Sequence, residues 1–164
     1  MFPEDMTRQA IALLSSMRER KLKFASAESC TGGLIAALMT EIPGSSDVVD
    51  RGFVTYSNEA KHEMLGVPDA LLAEFGAVSR QVALAMAEGA LSHSAADVSV
   101  AVTGVAGPGG GSPEKPVGLV HIAAASAGAP TLHHECRFGD LDRATIRART
   151  VVEALALAQR ALTP

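Results

Sequence analysis

Residues 24–42 read FASAESCTGGLIAALMTEI, a short apolar run that breaks into Ser, Cys, Thr and two glycines before a helical pattern begins. With Lys23 before it, the run KFASAE (23–28) reads as a buried strand, and apolar residues from about Cys30 onward recur at helical spacing. Pro43 and Gly44 must end that helix. A strand feeding a helix in this way is the unit from which α/β folds are built.

The same alternation extends outward. Residues 4–20 place Met6, Ala10, Leu13, Leu14 and Met17 at helical spacing after Pro3. RGFVTYS (51–57) reads as a second strand, followed by a short helix capped by Ser57 or Asn58. VSRQVALAMAEGALSHS (78–94) is an amphipathic helix with Ser79 as its cap. Three strands follow, DVSVAVTG (97–104), GLVHIAAAS (118–126) and TLHHECRFG (131–139), and a last helix covers 140–162 with Asp140 or Asp142 near its start. Strands and helices alternate and then strands bunch, which predicts one three-layer α/β/α domain, residues 1–164, with a mixed, about five-stranded sheet. GVAGPGGGSPEKPVG (104–118) is the one long irregular loop, and loops of that length are usually functional or mobile.

The chain has 164 residues, 48% apolar and 20% charged, with a formal net charge of −4. That balance, with no Trp, one Tyr and five Phe, gives no basic footprint and few rings for stacking bases, so no nucleic-acid partner is expected. Two cysteines, Cys30 and Cys136, cannot form a disulfide framework, which suits a reducing cytoplasm. No apolar run approaches the ~18 residues of a membrane span, so no membrane partner is expected either. Met- and Ala-rich helices leave self-association into a homo-oligomer open.

Ser29 has two readings. It sits at a strand-to-helix junction, where it can cap the helix, or where unpartnered backbone N–H groups can hold an oxyanion beside it as nucleophile. Gly32 and Gly33 suggest that something approaches the backbone closely, either a ligand or tight helix–sheet packing. A serine nucleophile needs a base. None of the five histidines declares itself: His133 and His134 adjoin on a strand and must point to opposite faces, and there is no HExxH or other metal-ligand spacing, so no metal is expected. Lysine is the other base, and Lys61 lies one turn into the helix after Tyr56. It would serve only if burial pulls its pKa from ~10.4 toward ~7–8; otherwise it is a solvated helix charge. Thr103 ends an apolar strand that runs into a glycine-rich turn, and such strand ends usually bind ligands in α/β folds. Neither phosphate-loop nor dinucleotide spacing is present, which leaves an anion-binding nest or a flexible loop.

The segments SAESCTGGLIAALMTEIPGSSDVVDRGFVTYSNEAKHEMLGV (26–67), VAVTGVAGPGGG (100–111) and RATIRARTVVEALALAQRAL (143–162) together resemble the CinA C-terminal domain family, the competence/damage-inducible proteins whose enzymatic members are nicotinamide mononucleotide deamidases. The resemblance runs from about Lys23 to Leu162. It implies a stand-alone amidohydrolase form, without the family's amino-terminal molybdopterin-binding-like domain, that hydrolyses a mononucleotide amide to nicotinate mononucleotide and ammonia with no cofactor. It implies Ser29 as nucleophile, Lys61 as its base and Tyr56 as relay or orienting group. Backbone N–H groups of Cys30 and Thr31 would stabilise the oxyanion, and Thr103 and Gly104 would flank the pyridine and ribose. Arg143 and Arg147, at i and i+4 on the last helix, become phosphate anchors or else form an exposed basic face. Cys30 beside the nucleophile reads as a packing residue. The rival readings are a non-catalytic nucleotide-binding or partner-binding module of the same fold, and the same chemistry on another small amide.

Overall fold

A computed structural model describes residues 1–163. Its elements are α1 (Glu4–Glu19), β1 (Phe24–Glu28), α2 (Leu34–Glu41), β2 (Val49–Val54), α3 (Asn58–Leu65), α4 (Asp69–Phe75), α5 (Arg80–Ser92), β3 (Val98–Gly104), β4 (Leu119–Ser126), β5 (Leu132–Arg137) and α6 (Arg143–Ala161), with a 3₁₀ turn at Ser45–Asp47. The strands form one mixed sheet in the order β2-β1-β3-β4-β5. β1 runs parallel to β2 and β3, with Ala27 opposite Phe53 and Ala101, and the hairpin strands β4 and β5 are antiparallel to their neighbours. No helix is long and apolar enough to cross a membrane among the described residues.

The two faces of the sheet are packed with different sizes of side chain. Val98, Val100 and Val102 of β3 and Val120 and Ile122 of β4 join the larger core under α1, α2 and α6. The alternate positions, Ala27, Ala101, Ala123 and Ala125, meet Ala83, Ala87 and Ala90 of α5. Alanine on both surfaces lets α5 approach closely enough for Ser99 Oγ to donate to the Ala87 carbonyl at 2.6 Å. The period-two pattern of the strands therefore sets both the layer assignment and the separation of the layers.

The helix caps follow from local chemistry. Ser57, Ser79 and Asp142 accept from the backbone N–H groups of Ala60, Val82 and Thr145, each at the third position of its helix as side-chain capping requires. The helix expected from Cys30 starts later, at Leu34, and Ser29 does not cap it. That task falls to Glu28, the last residue of β1. Its fully buried carboxylate accepts from Ile35 N (2.8 Å), Ala36 N (3.1 Å) and Thr31 Oγ1 (2.6 Å). The charge meets the positive end of the α2 dipole. The segment Asp69–Phe75, for which the sequence pattern predicts no element, is the short helix α4.

Candidate active site

Relieved of capping, Ser29 lies in a turn at the carboxyl end of β1. Its N–H donates to Val102 O of β3 at 3.1 Å, and its carbonyl accepts from Gly32 N at 3.1 Å. The serine is thus held between two parallel strand ends while its hydroxyl stays half-buried and accessible. Gly32 and Gly33 have φ of +59° and +106°. A Cβ on either would meet only ordinary contacts, 3.5 Å to Arg147 and 3.6 Å to Val54. The glycine pair is there for left-handed backbone and not for the close approach expected from the sequence.

Lys61 comes to Ser29 from α3. Its side chain is 1% exposed. Nζ lies 2.9 Å from Ser29 Oγ and donates to the carbonyls of Thr55 (2.8 Å) and Tyr56 (3.2 Å). A neutral amine has two N–H groups and one lone pair. With both N–H groups given to the carbonyls, the lone pair faces the serine hydroxyl and can take its proton. Burial pulls the Lys61 pKa down to about 8, because taking the ammonium out of water penalises the charged form.

Ser29, Cys30, Tyr56, Lys61, Thr103, Gly104 and Arg143 line one cleft of about 230 Å³, with Ala77, Val78 and Ala106 forming the rest of its wall. Tyr56 reaches it in an unexpected way. Its backbone carbonyl holds Lys61, whereas its exposed hydroxyl accepts from Arg143 Nη2 at 3.2 Å and bonds to neither member of the pair. Cys30 is buried, and burial drives its thiol up to about 12, so it packs and does not react. The backbone N–H groups of Cys30 and Thr31 have no protein acceptor among the described residues. The Thr31 side chain is turned away toward Glu28.

Thr103 is fixed by donation from Oγ1 to Ala77 O at 2.9 Å. Gly104 lines the cleft for a packing reason: a Cβ there would stand 2.6 Å from Val120 Cγ2 and 2.9 Å from Leu119 O on the adjacent strand. Gly104→Ala is therefore expected to cost about 1–3 kcal/mol of stability, seen as a lower denaturant midpoint at unchanged slope.

The two arginines separate. Arg147, expected beside Arg143 on a phosphate, instead donates from Nε to Cys30 O and from Nη2 to Thr31 O, both at 3.1 Å, and braces the Ser29 turn from behind. Arg143 alone lines the cleft, donating to Gly107 O at 2.7 Å and to the Tyr56 hydroxyl. From Pro108 the glycine-rich loop continues into the wall of a second cavity of about 630 Å³. Glu28 carries no sequence signal, because the backbone N–H groups it accepts from lie seven and eight residues on, and neither does the Thr55 carbonyl, which any residue type could supply.

A serine hydroxyl and a buried amine 2.9 Å apart beside the carboxyl ends of parallel strands, with open backbone donors next to them, mark an α/β protein whose cleft holds a serine–lysine pair. The chain belongs to the CinA C-terminal domain family, whose model matches residues 6–162. It is 50% identical over 166 residues to a putative competence-damage inducible protein of Symbiobacterium thermophilum, covering 97% of this chain and 38% of that protein. It is 52% identical over 145 residues to a CinA-like protein of Akkermansia muciniphila, covering 88% and 35%. The chain thus spans little more than a third of these curated relatives. Among solved structures, the competence/damage inducible protein CihA from Agrobacterium tumefaciens superposes with a TM-score of 0.97 at 55% identity, covering 100% of this chain and 99% of that one. A CinA superfamily protein from Escherichia coli gives 0.90 at 33% identity, covering 98% and 93%.

Proposed function

We propose that the chain is a serine–lysine amidohydrolase that converts nicotinamide mononucleotide to nicotinate mononucleotide and ammonia. The observation that carries this reading is the Lys61 amine, buried, lowered toward neutrality and 2.9 Å from Ser29 Oγ. In this scheme neutral Lys61 takes the hydroxyl proton as Ser29 Oγ bonds to the amide carbon. The carbonyl oxygen becomes an oxyanion facing the N–H groups of Cys30 and Thr31, donors of a kind worth ~3–4 kcal/mol each in transition-state stabilisation. Lys61 then returns the proton to the departing nitrogen, the C–N bond breaks and ammonia leaves. Water opens the acyl-enzyme with Lys61 again as base. Every proton is accounted for by this one pair, so the scheme calls on no metal or cofactor.

The Arg143 guanidinium keeps N–H groups beyond those given to Gly107 and Tyr56, and it is the cleft's one cationic side chain besides Lys61. It is the phosphate anchor in this reading. Ammonia release by the purified chain, followed by a coupled assay with the nucleotide and with its nucleoside, tests both points. Arg143→Ala is expected to slow nucleotide turnover at low substrate roughly 10- to 100-fold, as loss of a charge-assisted contact does, and to change nucleoside turnover little. Equal losses would remove Arg143 from the phosphate. Mononucleotide binding by well-folded protein with no ammonia release would overturn the amidohydrolase and favour a nucleotide-sensing module.

A further inference from the structure

The edge strand β5 and the residue after it turn Leu132, His134, Cys136 and Phe138 toward α6, and three of the four are apolar packing residues: Cys136 is in the core, with Leu132 and Phe138 partly buried against it. His134 is the break in this stripe. It does not simply extend into solvent, because Glu153 of α6 meets it, with His134 Nε2 3.7 Å from Glu153 Oε2. That is too long for a hydrogen bond. Beside both is the thiol of Cys136, buried and in no disulfide. The imidazole nitrogen, the sulfur and a carboxylate oxygen all fall within 4.8 Å of one another.

The geometry points to a binding site for one zinc-type divalent cation, held by His134 Nε2, Cys136 Sγ and Glu153 Oε2 with water completing the coordination. Tetrahedral zinc, bound to nitrogen and oxygen at ~2.0–2.2 Å, spaces those two donors roughly 3.3–3.6 Å apart, and the 3.7 Å between imidazole and carboxylate is only slightly wider. Small rotations of half-exposed side chains would bring the remaining pairs into range. Thiolate and imidazole select a borderline-soft metal over magnesium or calcium, which want oxygen donors alone. His134 and Cys136 are two apart on a strand and share a face by the pleat; Glu153 comes from a different element. The cation would pin the free edge of the sheet to α6, apart from the Ser29 cleft, and the proposed hydrolysis does not depend on it.

The test uses the full chain stripped of metal and titrated with Co²⁺, whose bond to a thiolate absorbs in the near ultraviolet. Expected are one equivalent bound, a thiolate band that Zn²⁺ displaces, and a rise in thermal midpoint with Zn²⁺. Cys136→Ser removes the band, and His134→Ala and Glu153→Gln each weaken binding at least tenfold. No thiolate band, or a band that survives in Cys136→Ser and so belongs to Cys30, overturns the site. Should Cys136→Ser fail to fold, the half-exposed Glu153→Gln decides: affinity equal to the parent rejects the proposal.

Discussion

Ser29→Ala is expected to fold as the parent does and to release ammonia from nicotinamide mononucleotide at least about 10³-fold more slowly, as loss of a covalent nucleophile does elsewhere. Folding survives because what holds this residue is its backbone, the N–H on Val102 O and the carbonyl on Gly32 N. The hydroxyl has one partner, Lys61 Nζ. No neighbour can replace it: the Thr31 hydroxyl is committed to Glu28, and the Cys30 thiol is held protonated by burial. Substrate affinity, measured by equilibrium binding, is expected to stay within a few-fold. A variant that keeps a tenth of the parental rate would show that Ser29 does not attack.

Lys61→Arg carries the second large effect, a loss of about 10²–10⁴-fold, the usual contribution of a positioned base. Guanidinium stays protonated at any working pH and cannot take the serine proton. It is also too large for a side chain that is 1% exposed, so Lys61→Met, which conserves length, is the companion variant. The parent supplies an independent check. With the pKa near 8, about a tenth of Lys61 is neutral at pH 7. The rate at low substrate is expected to climb close to tenfold per pH unit below that value and to level off above it. Stability moves the same way: between pH ~8 and ~10.4 the unfolded chain binds a proton at this lysine that the folded chain does not, so folding strengthens as pH rises. An ascending limb near pH 6, or near-normal turnover by Lys61→Arg, would dismiss Lys61 as the base.

Both predictions rest on features that differ in how openly the sequence displays them. Ser57, Ser79 and Asp142 cap helices through N–H groups three residues ahead, so a local reading finds them. The start of α2 misleads because its cap, Glu28, acts across a five-residue turn that two left-handed glycines bend back. α4 has seven residues with Leu72 alone buried, too few for a hydrophobic period to register. Arg143 and Arg147 look equivalent on a helical wheel. They diverge because α6 passes behind the Ser29 turn, and backbone carbonyls leave no mark in a sequence. His134, Cys136 and Glu153 are adjacent only once β5 lies on α6.

That passage of α6 also gives the proposed site its gauge. One rigid helix carries the guanidinium that would grasp the anionic end of the substrate and, four residues on, the guanidinium that steadies the turn bearing the nucleophile. The distance between anchor and attacking oxygen is thereby tied to a rise of roughly 6 Å along a rod that does not stretch, rather than to the play of a loop. A molecule whose amide and phosphate stand farther apart would have to leave one of them unengaged. Inserting a single residue between 143 and 147 would swing the anchor by about 100° while leaving Ser29 and Lys61 in place, uncoupling the measure of the substrate from the chemistry performed on it.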